Sequence, residues 1–143
     1  MTEKEPLFCN CLYFSANSLA RCVSRMAEDA FATTGLAPSY AYVLHIVIKR
    51  PGIAQKEIGQ EMMLTPSTIT RFIDKLQIKG LITRQVEGKN SYIKPTSKGK
   101  ALAPKLEEAM KQLHEEYKRV LGDKEACQLT EMMYQSTKDL DHA

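Results

Sequence analysis

Thr65-Pro66-Ser67-Thr68-Ile69-Thr70-Arg71-Phe72-Ile73-Asp74-Lys75-Leu76 reads as a helix with two unlike faces. Thr65 suits an N-cap, and Pro66 falls at the first helical position, where its missing N–H costs nothing. Ile69, Phe72, Ile73 and Leu76 recur at helical spacing and form the face to be buried. Ser67, Thr68, Thr70, Arg71, Asp74 and Lys75 are left facing outward. The pattern runs from Pro66 to Lys79, and Gly80 ends it.

The flanks set this helix in a larger unit. Upstream, about Ala54 to Met62 reads as a short helix. Downstream, Leu81 to Val86 and Ser91 to Pro95 read as short strands around the turn-rich tip Glu87-Gly88-Lys89-Asn90. Helix, tight turn, helix, glycine, strand, hairpin, strand is the order of a winged helix-turn-helix, whose second helix is built to enter a DNA major groove. The chemistry of the outward face agrees. Small hydroxyl residues at the start (Ser67, Thr68, Thr70) permit close approach and bond phosphates or base edges. Arg71 reaches a guanine edge or a phosphate, and Lys75 reaches the backbone. A helix N-terminus also favours an anionic phosphate.

Charge is distributed in the same sense. The 143-residue chain has a net charge of +3, but Lys49 to Lys100 holds eleven bases against four acids, a net +7. The rest, nine bases against thirteen acids, is −4. A basic centre between acidic flanks suits a polyanionic partner, although ordinary solvated helix faces produce such a segment as well.

Outside the centre, Phe8, Leu12, Ala16, Leu19, Val23, Met26 and Ala30 step by threes and fours, which predicts one helix from about Pro6 to Thr33, ended by Gly35. A second helix is expected from Pro38 to Arg50, stopped by Pro51-Gly52. A long helix capped by Thr96 or Ser97 carries Leu102, Leu106, Met110, Leu113 and Tyr117 on one side. Gly122-Asp123 separates it from a last helix with Ala126, Leu129, Met133 and Leu140. The expectation is a mainly α single domain, with a small β-hairpin wing on a 37–96 DNA-binding lobe and terminal helices at 6–35 and 97–143. The terminal stripes either pack on each other within one subunit or intertwine with a second one. A homodimer is favoured, because it sets two recognition helices in successive major grooves.

The run Ala37-Pro38-Ser39-Tyr40, through Ile53-Ala54-Gln55-Lys56-Glu57-Ile58-Gly59, to Leu81-Ile82-Thr83-Arg84 and Thr96-Ser97-Lys98-Gly99, is similar to the MarR family of bacterial transcription regulators. The resemblance covers nearly the whole chain. It implies a homodimeric winged-helix repressor on pseudo-palindromic double-stranded DNA, with the first and last helices as dimer interface and release by a small ligand or an oxidant. Carried over by position, it implies that Pro66, Ser67, Thr68, Thr70 and Arg71 face the major groove, while Gln55, Lys56, Lys75 and Arg84 hold phosphates. One departure stands out. Family wings carry an Asp-x-Arg pair near the tip, whereas this hairpin is shorter and has Lys89 in reach of a phosphate or a minor-groove edge. Weaker minor-groove discrimination is expected.

Cys9, followed four residues later by Tyr13, resembles the peroxide-sensing position of OhrR-type members, and on a helix that spacing brings the pair into contact. Those sensors add further tyrosines, where this chain has Val23 and Ala37. The other reading makes Cys9, Cys11 and Cys22 small core-forming residues of an interface helix. A small aromatic or amphipathic effector is a further expectation, in a crevice lined by Tyr13, Tyr40, Tyr42, His45 and Met62 or Met63.

Other functions find less support. No phosphate-cradling glycine loop, paired carboxylates, Ser/His/Asp set or zinc motif is present, so an enzyme is not expected. Cys9 and Cys11 would point about 200° apart on a helix, and His45, His114 and His142 have no ligand spacing, so neither a metal nor a cofactor is expected. The start has no signal-like apolar run and no stretch reaches membrane-span length, so a soluble cytoplasmic protein with free thiols is expected. The alternative function is a winged-helix protein-interaction module without DNA binding, which would present apolar anchors on the 65–79 helix.

Overall fold

The structure, a computed structural model, describes residues 4–141. α1 spans Leu12–Phe31 and runs into a single 3₁₀ turn, Ala32–Thr34. α2 (Pro38–Lys49) has proline in its first turn. After it come β1 (Ile53–Ala54), α3 (Gln55–Met62) and α4 (Pro66–Ile78). β2 (Ile82–Glu87) and β3 (Asn90–Pro95) form the wing. α5 (Ser97–Lys100), α6 (Ala103–Leu121) and α7 (Asp123–Asp141) complete the chain. The mainly helical winged helix expected from the sequence is the fold observed.

Four local expectations are corrected. The first helix does not reach back to Pro6. Residues 7–10 form turns, with Cys9 N–H bonding the Pro6 carbonyl at 3.2 Å and Cys11 N–H the Phe8 carbonyl at 2.9 Å. The Ser15 hydroxyl ties this segment back by donating to the Cys9 carbonyl at 3.2 Å, and the Phe8 ring lies 6.1 Å from Phe14. The Cys9–Tyr13 pair is therefore not an i, i+4 pair on a helix. The expected long helix from Thr96 is also two. Thr96 caps α5 by accepting from Gly99 N–H at 3.0 Å, but the chain breaks before Ala103 because Pro104 has no N–H to offer the Lys100 carbonyl. The wing also has a third strand. Ile53 and Ala54 pair antiparallel with Ile93 and Tyr92, giving the order β1-β3-β2.

The hairpin tip is tighter than the four residues expected. Glu87 pairs with Asn90, leaving only Gly88-Lys89 in the loop, and Gly88 takes the positive φ (+61°) that the first tip position requires.

One apolar core runs through both regions. Ile69, Ile73 and Leu76 of α4 are buried with Leu44 of α2, and the same cluster takes in Phe31 of α1 and Leu106 of α6. The lobe-facing parts of α1 and α6 thus pack within the subunit. Away from the lobe, Leu12, Tyr13, Val120, Met132 and Tyr134 stay exposed. Gly99 fixes how closely α5 meets the wing root. A Cβ there would lie 2.1 Å from the Leu81 carbonyl oxygen, a backbone atom with no freedom to yield. Gly99→Ala is therefore expected to destabilise the fold by about 3 kcal/mol, read as a lower urea midpoint.

Candidate nucleic-acid interface

α4 starts where a hydroxyl and a proline act together. Thr65 caps it, accepting from Thr68 N–H at 3.4 Å, and its hydroxyl lies 2.9 Å from that of Thr68, which is half-buried as a result. Ser67, Thr70, Arg71 and Lys75 are exposed along the outer face. Thr70 donates to the Pro66 carbonyl and accepts from the Gln55 amide, both at 3.0 Å, so Gln55 is engaged in joining α3 to α4. Arg71 has no acid partner among the described residues. Lys75 sits with its Nζ 4.9 Å from the centre of the Tyr40 ring, which itself packs on Phe72 at 4.6 Å. That contact steers the ammonium toward the N-terminus of α2. Tyr40 is thus part of this surface.

The wing brings a second set of groups. Lys89 is exposed at the tip and, like Lys56 at the start of α3, has no acid partner among the described residues. Gln55, Lys56, Pro66 and Lys89 border one crevice of about 970 Å³ between α3, the start of α4 and the wing. Asn90 and Ser91 share it. Their positions depend on the tight tip register, which gave no separate signal in the sequence. Arg84 lies elsewhere. Its side chain is only 21% exposed, it bonds Asp74 of α4 at 2.5 Å, and its Nε is buried with no partner.

The candidate switch residues are dispersed. Cys9 is exposed, with its thiol 3.7 Å from a Glu5 carboxylate oxygen, and Tyr13 is exposed on the first turn of α1. Cys22 accepts from the Arg25 guanidinium at 3.5 Å. Of the residues expected to line an effector crevice, Met63 borders both crevices flanking α3, whereas Tyr13, Tyr40, Tyr42 and His45 border neither. Tyr42 instead packs on Phe31 at 5.5 Å, and burial pushes its hydroxyl pKa up. Burial also raises that of Tyr117, helped by Tyr42.

A helix-turn-helix with a three-stranded wing, and a polar, basic outer face on its second helix, defines the class of winged helix-turn-helix proteins. Residues 34–90 match the model of the MarR family. The chain is 29% identical over 91 residues to the uncharacterized HTH-type transcriptional regulator YybA of Bacillus subtilis, a match taking in 62% of this chain and 61% of that relative's length. Its fold is similar to that of the regulator CouR from Rhodococcus jostii RHA1 bound to p-coumaroyl-CoA (TM-score 0.75, 22% identity, covering 90% of this chain and 93% of the other). It is also similar to the transcriptional repressor CouR bound to a 23-mer DNA duplex (TM-score 0.82, 18% identity, 96% and 99% covered). At these identities the likeness is one of fold.

His45 lies on α2 beside the Lys49–Glu107 ion pair (3.1 Å) that joins α2 to α6. Burial and the Lys49 ammonium lower its pKa below the ordinary 6.5, against the opposing pull of Glu107. A lowered folded pKa means that the unfolded chain binds the proton more readily. The stability contribution is therefore complete above the unfolded value and is lost as pH falls through the folded one. His45→Asn is expected to flatten the loss of stability below about pH 6.5, measured by denaturation at stepped pH.

Proposed function

We propose that this protein is a sequence-specific double-stranded DNA-binding transcriptional regulator, a repressor that binds a pseudo-palindromic operator as a homodimer. The observation that carries the reading is the outer face of α4. Ser67, Thr70, Arg71 and Lys75 are presented together beside a crevice rimmed by Lys56 and Lys89, and the one strongly exposed apolar side chain of α4, Ile78, stands at the far end of the helix. A surface for binding a protein partner would expose apolar side chains there. Exposed Leu12, Tyr13, Val120 and Met132 supply the apolar area that a second copy would cover, which spaces two α4 helices for successive grooves about 34 Å apart. The DNA-bound and p-coumaroyl-CoA-bound relatives support DNA and a small organic effector as partners. The protein acts in the cytoplasm, with Pro66, Ser67, Thr68, Thr70 and Arg71 toward the major groove and Gln55, Lys56, Lys75 and Lys89 toward phosphates.

Fragments selected from genomic DNA test this. Log affinity should fall linearly with log salt, by about 0.9 for each phosphate contacted. Arg71→Ala should lower affinity for the selected site roughly tenfold to a hundredfold, and affinity for unrelated duplex far less. Salt-insensitive or absent binding to every duplex would instead favour the protein-interaction module.

Release is effected by a small ligand or by thiol oxidation. For the thiol route, Cys9 has the exposure that sulfenic acid formation requires, and Tyr13 is exposed four residues on without being its i, i+4 helical partner. Peroxide is expected to release DNA from the wild type and to leave Cys9→Ser bound. Equal release from both proteins would remove Cys9 as the sensor and leave the ligand route.

A further inference from the structure

Asp74 is an acid in the middle of a basic surface, and Arg84 is a base withdrawn from it. Both oddities have one geometric explanation. Asp74 lies on the outer side of α4, two turns after Ser67 and one turn before Ile78. Arg84, the third residue of β2, pairs with Ile93 and shares its strand face with buried Ile82, so its side chain is directed at α4. The two meet at 2.5 Å. The arginine is the more buried partner, 21% exposed against 53% for the aspartate, and its Nε is enclosed by protein.

We propose that Asp74 and Arg84 are positioning residues that pin the wing to the recognition helix, and that neither is a phosphate contact. The inference rests on the DNA-binding reading above, and it replaces the phosphate-holding role that family resemblance implies for Arg84. The pin sets the distance between Lys89 at the tip and Ser67 and Arg71 on α4. The two elements can then engage DNA at once rather than in sequence, and the ordering cost is met in the free protein. A bare ion pair at a fully exposed site would contribute little. Here one partner is docked in the fold, so breaking the pair leaves its guanidinium short of acceptors and frees the hairpin to tilt.

The sign of one substitution separates pin from electrostatics. Asp74→Ala deletes a negative charge from a DNA-facing surface. If charge alone mattered, affinity for every duplex would rise. With the pin lost, affinity for the selected site falls, by roughly tenfold for a coupled pair, while affinity for unrelated duplex holds or rises. Arg84→Met should lose specific affinity to a similar degree with an unchanged salt slope. A drop in slope of about 0.9 would instead make Arg84 a phosphate contact and overturn the proposal. The charge-reversed pair, Asp74→Arg with Arg84→Asp, should recover part of the loss, which a general folding defect would not allow.

Hydrogen exchange on the free protein gives a reading that needs no DNA. Asp74→Ala should speed exchange in the β2–β3 hairpin while amides of α1 and α6 keep their protection. If the hairpin is unchanged and the selected site is bound more tightly, the pin is refuted. If wild-type protein binds no duplex yet the hairpin loosens, the regulator reading fails while the pin survives as a structural feature.

Discussion

The structure depends first on the burial of one stripe of α4. Ile69, Ile73 and Leu76 are at most 1% exposed, and removing side chains of this size from water contributes about 1.5–3 kcal/mol each. A helix turns by about 100° per residue, so committing those three positions decides where every other one points. Ser67, Arg71 and Asp74 face outward because the isoleucines and the leucine face in. The polar surface is thus set by the packing of the apolar one. Thr65 and Pro66 then fix where the stripe begins, and Gly80, at φ +75°, fixes where the chain leaves it.

That stripe does not close a private core. Leu44 of α2, Phe31 of α1 and Leu106 of α6 belong to the same buried cluster, and Gly99 lets α5 sit directly against the Leu81 backbone. Close-packed interiors yield little, so a displacement of α6 near Leu106 has to be taken up by its neighbours. The Lys49–Glu107 pair adds a polar tie across the same seam. Exposed Leu12 and Tyr13 lie further along α1, and exposed Val120 and Leu121 further along α6. An event that covers or uncovers those residues therefore acts on helices that are continuous with the packing behind α4.

Local chemistry made most of this legible in the sequence. The α4 cap, its inner stripe, the glycine stops and the α6–α7 break at Gly122 are each written in a few neighbouring residues. What escaped depends on partners distant in the chain, or on competition between local signals. β1 has two residues, too few for any periodicity, and exists because Ile93 and Tyr92 offer it an edge. The first helix has an apolar stripe that continues back to Phe8, yet a hydroxyl bond from Ser15 and a ring contact with Phe14 hold that segment in turns. Pro104 was a visible signal, outweighed by the longer periodic pattern around it. At the candidate interface, the residue types on α4 were readable one by one. The engagement of Gln55 with Thr70, of Lys75 with Tyr40, and of Arg84 with Asp74 was not, because each pair joins two elements.

Those engagements change what a basic residue on this surface means. Of the bases near α4, Arg71, Lys56 and Lys89 have no acid partner among the described residues, Lys75 is held against an aromatic ring, and Arg84 is spent on an acid. Counting all five as equal phosphate ligands overstates the field and misses its shape. The Asp74–Arg84 pair is also asymmetric. Losing the arginine leaves a carboxylate that is half open to water and easily rehydrated, while losing the aspartate strands a guanidinium whose Nε is already enclosed. Leaving a buried donor unpaired costs more than the net gain of making the bond. The energetic weight of the pair therefore falls on the arginine side, in the wing root, although its geometric effect is felt on the face of α4.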